Sequence, residues 1–241
     1  MILPLYNLTK KWYNKYVKIR KRHQLTSGSG YGRRKEGIIM KLLVLDTETL
    51  GLHDQRIYDL GYVIYDTETE SVVCERNYII KQIFDNLDLM QTAYYNSKRP
   101  IYEQRLADGY CKRVYWGVAL RILEKDLKRY EPDGIWAYNS RFDHRAFEST
   151  CEKLNSKINP VADGIADIME VISGITETED YQEFCRKNGF LTKHKKPRPQ
   201  RKAETLYRYL NNQTDYIEEH TALADSRIEL EILLVALGLI A

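Results

Sequence analysis

Three short segments contain the side chains best suited to chemistry. They read D-T-E at 46–48, N-S-R-F-D at 139–143 and H-T-A-L-A-D at 220–225. Together they supply four carboxylates and one histidine: Asp46, Glu48, Asp143, Asp225 and His220. Carboxylates that share a pocket raise each other's pKa, and hard cations such as Mg²⁺ or Mn²⁺ relieve their repulsion. The set predicts two divalent cations arranged for in-line attack on a phosphodiester, with the histidine accepting a proton from the attacking water.

The element before the first segment is an apolar run, K-L-L-V-L at 41–45, which predicts a buried strand. Side chains of a strand alternate between its two faces. Asp46 and Glu48 are therefore expected to point to one side of the sheet, while Thr47 points to the other.

Helices are predicted at the other two segments. The second follows an apolar stretch, with Asn139 or Ser140 as the helix N-cap and a helix over 141–150. In the third, the aspartate is five positions after the histidine. On one helix this spacing is a rotation of one full turn plus about 140°, so the two side chains would lie on different faces. We therefore expect His220 in the loop, Thr221 at the N-cap and Asp225 inside a last helix that ends before Gly238.

The three segments resemble the motifs of the DEDDh branch of the 3′–5′ exonuclease superfamily, which includes polymerase proofreading subunits, ribonuclease T and oligoribonuclease. The matching stretches are D-T-E-T-L-G-L at 46–52, Y-N-S-R-F-D at 138–143 and H-T-A-L-A-D-S at 220–226. A histidine five residues before the last aspartate, instead of a tyrosine four before it, marks this branch. The resemblance implies an α/β, ribonuclease H-like fold over about Met40 to Ile240, with a mixed five-stranded sheet flanked by helices.

The same resemblance implies a role for each residue of the set. Asp46 would bridge two Mg²⁺ or Mn²⁺ ions, and Glu48 and Asp225 would complete one metal site. Asp143 would support the second metal, and His220 would be the general base.

Residues beside the implied metal ligands are the candidates for contact with the terminal nucleotide. Gly51 has no side chain, so backbone and substrate can approach each other closely there. The predicted substrate-binding residues are Leu50, Gly51, Leu52, Asn139 and Phe142.

A dense basic run, K-H-K-K-P-R-P-Q-R-K at 193–202, lies between two predicted helices, around 181–187 and at 203–210. It contains no acidic residue, and its prolines disfavour helix. One interpretation is a loop that contacts the phosphates of the substrate strand, and the other is a solvated surface loop. The candidate phosphate contacts are Lys193, Lys195, Lys196, Arg198, Arg201 and Lys202.

Charge divides the chain into two parts. Residues 1–39 carry ten Lys/Arg and one acid, a net charge of +9, and the total is +3, so residues 40–241 carry −6. We expect 1–39 to be a basic extension, either disordered or a mis-called start before a natural start at Met40, and 40–241 to be the exonuclease domain. The alternative for the extension is an arm that binds nucleic acid non-specifically.

The favoured function is a metal-dependent 3′–5′ exonuclease that releases nucleoside monophosphates, with single-stranded DNA as its substrate and RNA as the alternative. The expected partners are a nucleic acid with a free 3′ end and a polymerase or replication protein. A hypothesis from another class is a catalytically weak nucleic-acid-binding or polymerase-docking module with the same fold.

Composition favours a protein of the cytoplasm, encoded by a bacterium or a phage. No apolar run approaches the roughly 20 residues that span a bilayer, so no membrane association is expected. The four cysteines are scattered without a C-x-x-C pair, which is typical of reduced thiols.

Overall fold

A mixed sheet is the centre of the computed structural model, which describes residues 39–240. Its six strands are β1 (Lys41–Thr49), β2 (Ile57–Asp66), β3 (Ser71–Ile80), β4 (Lys112–Val114), β5 (Gly134–Ala137) and β6 (Ala166–Asp167). The predicted N-terminal extension covers residues 1–39, and all of it except Ile39 lies outside the described residues.

The strand order is β4-β3-β2-β1-β5-β6. β2 pairs antiparallel with both β1 and β3, whereas the pairs β1–β5, β3–β4 and β5–β6 are parallel. The predicted mixed sheet flanked by helices is confirmed, but it has six strands where five were expected. The outermost strands span three and two residues, too few for a period-2 pattern to show in the sequence.

The helices flank this sheet on both faces. They are α1 (Lys81–Phe84), α2 (Leu87–Gln91), α3 (Arg99–Ala107), α4 (Trp116–Tyr130), α5 (Arg141–Lys153), α6 (Ile168–Val171), α7 (Ser173–Thr176), α8 (Glu179–Asn188), α9 (Ala203–Leu210) and α10 (Ala222–Ala236), with a 3₁₀ turn at Asn96–Lys98. Within residues 39–240, none of them has the length and apolar content to cross a bilayer.

β1 is covered on both faces, as its continuous apolar run predicted. Leu43 belongs to a core cluster that includes Phe147 of α5, whereas Val44 belongs to a second cluster that includes Leu233 of α10. Because the faces alternate, the end of β1 can present side chains to both helical layers.

α10 approaches the sheet unusually closely at Gly61 of β2, which pairs with Asp46. A Cβ at Gly61 would lie 2.2 Å from the backbone nitrogen of Leu223 and 2.3 Å from the carbonyl carbon of Ala222. The Ser226 hydroxyl lies between the two elements, within hydrogen-bond distance of the Ala222 carbonyl at 2.7 Å and of the Gly61 carbonyl at 3.2 Å. Backbone therefore packs directly on backbone where the last helix begins.

Asp59, also on β2, caps this helix from the sheet. Its Oδ2 accepts the Ala222 N–H at 2.9 Å, while Thr221, which occupies the N-cap position, makes no side-chain cap bond. Asn77 of β3 donates to the other oxygen of the fully buried Asp59 carboxylate. An N-cap bond stabilises a helix by about 1 kcal/mol, and here it also fixes the position of α10 on the sheet.

We expect Gly61→Ala to destabilise the protein by about 1–3 kcal/mol or more, because the added methyl group overpacks a contact made of backbone atoms. Gly117→Ala in α4 is the matched control, since a Cβ there meets nothing within 4 Å, and alanine stabilises a helix by up to about 1 kcal/mol over glycine. Urea unfolding of both variants measures the difference. Equal stability of G61A and wild type would contradict the close approach.

Candidate active site

The first two candidate carboxylates lie near the end of β1. Asp46 is half-buried and Glu48 is buried, and they are two residues apart on the same face of the strand. Their partners on β2 are Gly61 and Asp59, the two residues that contact the start of α10. The carboxylates therefore point toward the layer that contains the start of the last helix.

Asp143 comes from the opposite layer, in the first turn of α5. It is buried, and the hydroxyl of Thr47 donates a hydrogen bond of 2.7 Å to its Oδ1. Thr47 points away from Asp46 and Glu48, as predicted, and in that direction it meets the third carboxylate. The helix was predicted to start here; Ser140 occupies the N-cap position, without a side-chain cap bond.

Asp225 and His220 flank the start of α10 as the five-residue spacing predicted, with Thr221 at the N-cap and Asp225 in the first turn. Potential metal-ligand atoms of Glu48, His220 and Asp225 all lie within 4.8 Å of one another. Asp225 Oδ1 is buried and has no hydrogen-bond partner among the described residues. An unpaired buried carboxylate oxygen is costly unless something else binds it.

The His220 ring is held in place from two sides. Its backbone has a φ of +49°, and the ring stacks on Tyr95 with centroids 4.6 Å apart and an interplanar angle of 17°. His220 Nδ1 lies 3.6 Å from a carboxylate oxygen of Glu218. Burial, followed by the charge of Lys98, lowers the pKa of His220, which favours the neutral imidazole that a base or a metal ligand requires.

Burial and mutual repulsion raise the pKa values on β1. Desolvation is the larger cause for Asp46, followed by the charge of Glu229, and its pKa lies well above the usual value. The pKa of Glu48 is also well above its usual value, because the side chain is desolvated and faces the charge of Asp225.

The carboxylates from the two helices are shifted in the same direction. Burial raises the pKa of Asp143 to about 7 in spite of the stabilising hydrogen bond from Thr47. Burial and the charge of Glu218 raise the pKa of Asp225 to about 8. Without a bound cation, the cluster therefore retains protons near neutral pH.

These residues fit a divalent cation. Mg²⁺ and Mn²⁺ prefer oxygen ligands, and Glu48 and Asp225 each offer one in a group with a nitrogen of His220. Asp225 also has one oxygen without a hydrogen-bond partner among the described residues. A cation would also relieve the repulsion that raises the four pKa values.

The predicted substrate-binding residues have different surroundings. The assignment of Leu50 as a substrate contact does not agree with its position. Its side chain is 2% exposed and packs in the core beneath the turn, so it does not face a substrate. Leu52 is 79% exposed, and a Cβ added at Gly51 would meet nothing within 4 Å. Phe142 is half-buried, and Asn139 is exposed in a left-handed conformation with a φ of +59°.

The basic loop forms a closed, exposed turn between α8 and α9. Thr192 donates its N–H to the Arg198 carbonyl at 2.8 Å and accepts the Arg198 N–H through its hydroxyl at 3.0 Å. All six candidate phosphate contacts are exposed. The end of the run borders the site, because the Arg201 carbonyl accepts a hydrogen bond from the Tyr138 hydroxyl and the charge of Lys202 acts on His220.

Residues that the sequence interpretation missed complete the surroundings of the site. Asp167 caps α6 and also accepts the Asn139 N–H at 3.0 Å. Lys98 contacts the Glu219 carbonyl and lies 4.8 Å from the centroid of the Tyr95 ring. No local motif marks such residues, since their partners are distant in the sequence.

Comparison with known proteins gives structural matches alone, since the sequence matches no protein-family model and no curated protein. The nuclease domain of 3′hExo, a DEDDh family member bound to rAMP, matches with a TM-score of 0.53 at 12% identity, over 84% of this chain and 94% of that chain. A 3′-exonuclease in a structure of 3′-end-specific recognition of a histone mRNA stem-loop matches with a TM-score of 0.54 at 11% identity, over 84% of each chain. A full-length 3′-exonuclease matches with a TM-score of 0.53 at 11% identity, over 93% of this chain and 70% of that chain. The chain thus has the ribonuclease H-like fold of DEDDh nucleases.

Metal-free protein should lose stability as pH rises from about 5 to about 8. The folded carboxyls hold protons that the unfolded chain, with pKa values near 4, has released. The free energy of unfolding then falls by about 1.4 kcal/mol per pH unit for each such proton. Asp225→Asn should reduce this slope, and Mg²⁺ should stabilise wild type more at the higher pH, because protons compete with the metal. Urea unfolding in EDTA across this range measures the slope, and a stability that rises with pH would contradict the shared protons.

Proposed function

We propose that this protein is a metal-dependent 3′–5′ exonuclease that releases nucleoside monophosphates from a single-stranded end. The observation that carries the proposal is the convergence of four carboxylates from β1, α5 and α10, with one buried Asp225 oxygen left unpaired. A scaffold has no physical need for such a repulsive cluster. The DEDDh fold supports the same activity.

In this proposal, Asp46, Glu48, Asp143 and Asp225 hold two divalent cations, Mg²⁺ or Mn²⁺. Bound there, the cations would polarise the phosphodiester and ease deprotonation of the attacking water. His220 takes the proton from that water. Its lowered pKa keeps the ring neutral and able to accept the proton, and Tyr95 keeps the plane of the ring fixed.

Leu52 and Phe142 are proposed to contact the terminal nucleotide, with Gly51 and Asn139 close to its backbone. The exposed position of Leu52 and the open space at Gly51 support this assignment. A terminal nucleotide enclosed in this way requires a free 3′ end. A 3′-phosphate should therefore block digestion, whereas a 5′-phosphate should not.

DNA and RNA are both candidate substrates. The sequence favoured single-stranded DNA, whereas similar structures contain rAMP or recognise an mRNA stem-loop. Recognition of the 2′-hydroxyl distinguishes the two classes, so parallel digestion of matched DNA and RNA strands determines the preference. A polymerase or replication protein as partner is proposed only from the resemblance to proofreading subunits.

The activity test uses 3′- and 5′-labelled single strands and duplexes with Mg²⁺ or Mn²⁺. We expect stepwise shortening from the 3′ end, no measurable activity in Asp225→Asn, and a kcat lowered about 10²–10⁴-fold in His220→Ala, the usual contribution of a general base. Cleavage of a circular single strand would refute the exonuclease assignment. Tight binding without hydrolysis would support the binding-module alternative.

The basic loop is proposed to contact phosphates upstream of the cleaved bond. The double variant Lys195→Ala/Lys196→Ala should have a higher KM and an unchanged kcat at saturating substrate. Because two phosphate contacts are lost, the slope of log affinity against log salt should decrease in magnitude by about 1.4. Lys125→Ala/Lys128→Ala removes the same charge from α4, which packs on the other face of the sheet. Equal salt slopes in the two double variants would favour the solvated-loop interpretation.

A further inference from the structure

Glu229 is a fifth carboxylate at the site, and none of the motifs includes it. It lies on α10 one turn after Asp225, in an apolar stretch, and is 3% exposed. Burial is the largest cause that raises its pKa, followed by the charges of Asp143, Asp225 and Glu218. Within residues 39–240, ion pairing therefore does not explain its presence there.

A hydrogen bond gives Glu229 a structural role. Its Oε2 accepts the backbone N–H of Tyr138 at 3.2 Å. Tyr138 directly follows β5, whose pairing with β6 ends at Ala137 and Asp167. Beyond that point the sheet offers the N–H group no partner, and an unpaired buried N–H is costly.

The next N–H along the chain is held in the same way. Asp167, at the end of β6, accepts the Asn139 N–H at 3.0 Å. Two carboxylates from different elements thus hold successive N–H groups of the turn that leads into α5. Asn139 adopts its left-handed conformation within this turn, and Asp143 follows it in the first turn of the helix.

We propose that Glu229 is a positioning residue that ties α10 to the β5–α5 turn and so sets the separation between Asp225 and Asp143. The link runs from Asp225 through one turn of α10 to Glu229, and from its Oε2 to Tyr138. This role rests on the proposed nuclease function. According to this role, the site requires a side-chain oxygen at residue 229 that accepts the Tyr138 N–H, and it does not require the negative charge.

Three variants in the full-length chain test this role. Glu229→Gln keeps a side-chain oxygen acceptor and removes the charge, whereas Glu229→Met keeps the length and removes both. Glu231→Gln makes the same chemical change two residues away on α10, where the side chain is half-buried and accepts a bond from Asn211. Each variant is compared for kcat and KM, for Mn²⁺ affinity by calorimetry without substrate, and for amide exchange across residues 134–147.

We expect E229M to lose about 10²-fold in kcat with little change in KM, the effect of catalytic groups displaced by about 1 Å. Its Mn²⁺ affinity should fall and its Tyr138 amide should exchange faster. E229Q should stay within about threefold of wild type in all measurements, since the acceptor bond persists, and E231Q should match wild type.

Two outcomes would overturn the role. Wild-type kcat and Mn²⁺ affinity in a folded E229M would show that the hydrogen bond positions nothing. A loss in E229Q as large as in E229M would show that charge is the required property, as for a fifth metal ligand. If E229M does not fold, the E229Q result still decides between acceptor and charge. If wild type does not cleave nucleic acid, the proposed function fails, while calorimetry and amide exchange still test the positioning.

Discussion

The repulsion among carboxylates at the end of β1 is the constraint around which the site is organised. Desolvation and neighbouring negative charge raise the pKa values of the acids from β1, α5 and α10, so the folded protein must hold them together against an electrostatic cost. The surrounding hydrogen bonds provide that restraint. Thr47 holds Asp143, and Asp59 holds the start of α10, so each helical carboxylate is fixed by the sheet.

The alternation of a single strand explains how two helical layers supply one site. Even-numbered residues of β1 face α10 and odd-numbered residues face α5. Asp46 and Glu48 thus meet Asp225 on one side, while Thr47 meets Asp143 on the other. The unbroken apolar run of β1 is typical of a strand that is buried on both faces. Because helices cover both faces, side chains at the end of β1 can contact both helical layers.

Much of the fold and of the acidic set could be predicted because the signals are local. The apolar run of β1, the helix at 203–210 and the N-cap position of Thr221 all follow from residues adjacent in the sequence. The missed features depend on distant partners: Thr47 and Asp143 are 96 residues apart, and Asp59 and Ala222 are 163 apart. Leu50 shows the same limit, since the sequence around a leucine two residues after Glu48 does not reveal whether its side chain faces the core or the solvent.

The backbone contact at Gly61 has a mechanical consequence. In general, a helix packs on a sheet through side chains, and rotations of those side chains allow the helix to slide or tilt. At Gly61 no such compliant layer separates Ala222 and Leu223 from β2, so the first turn of α10 and the centre of the sheet behave as one stiff body. Adjustment to molecules of different shape must then come from the exposed turn at Leu52 and from the loops that precede α9 and α10.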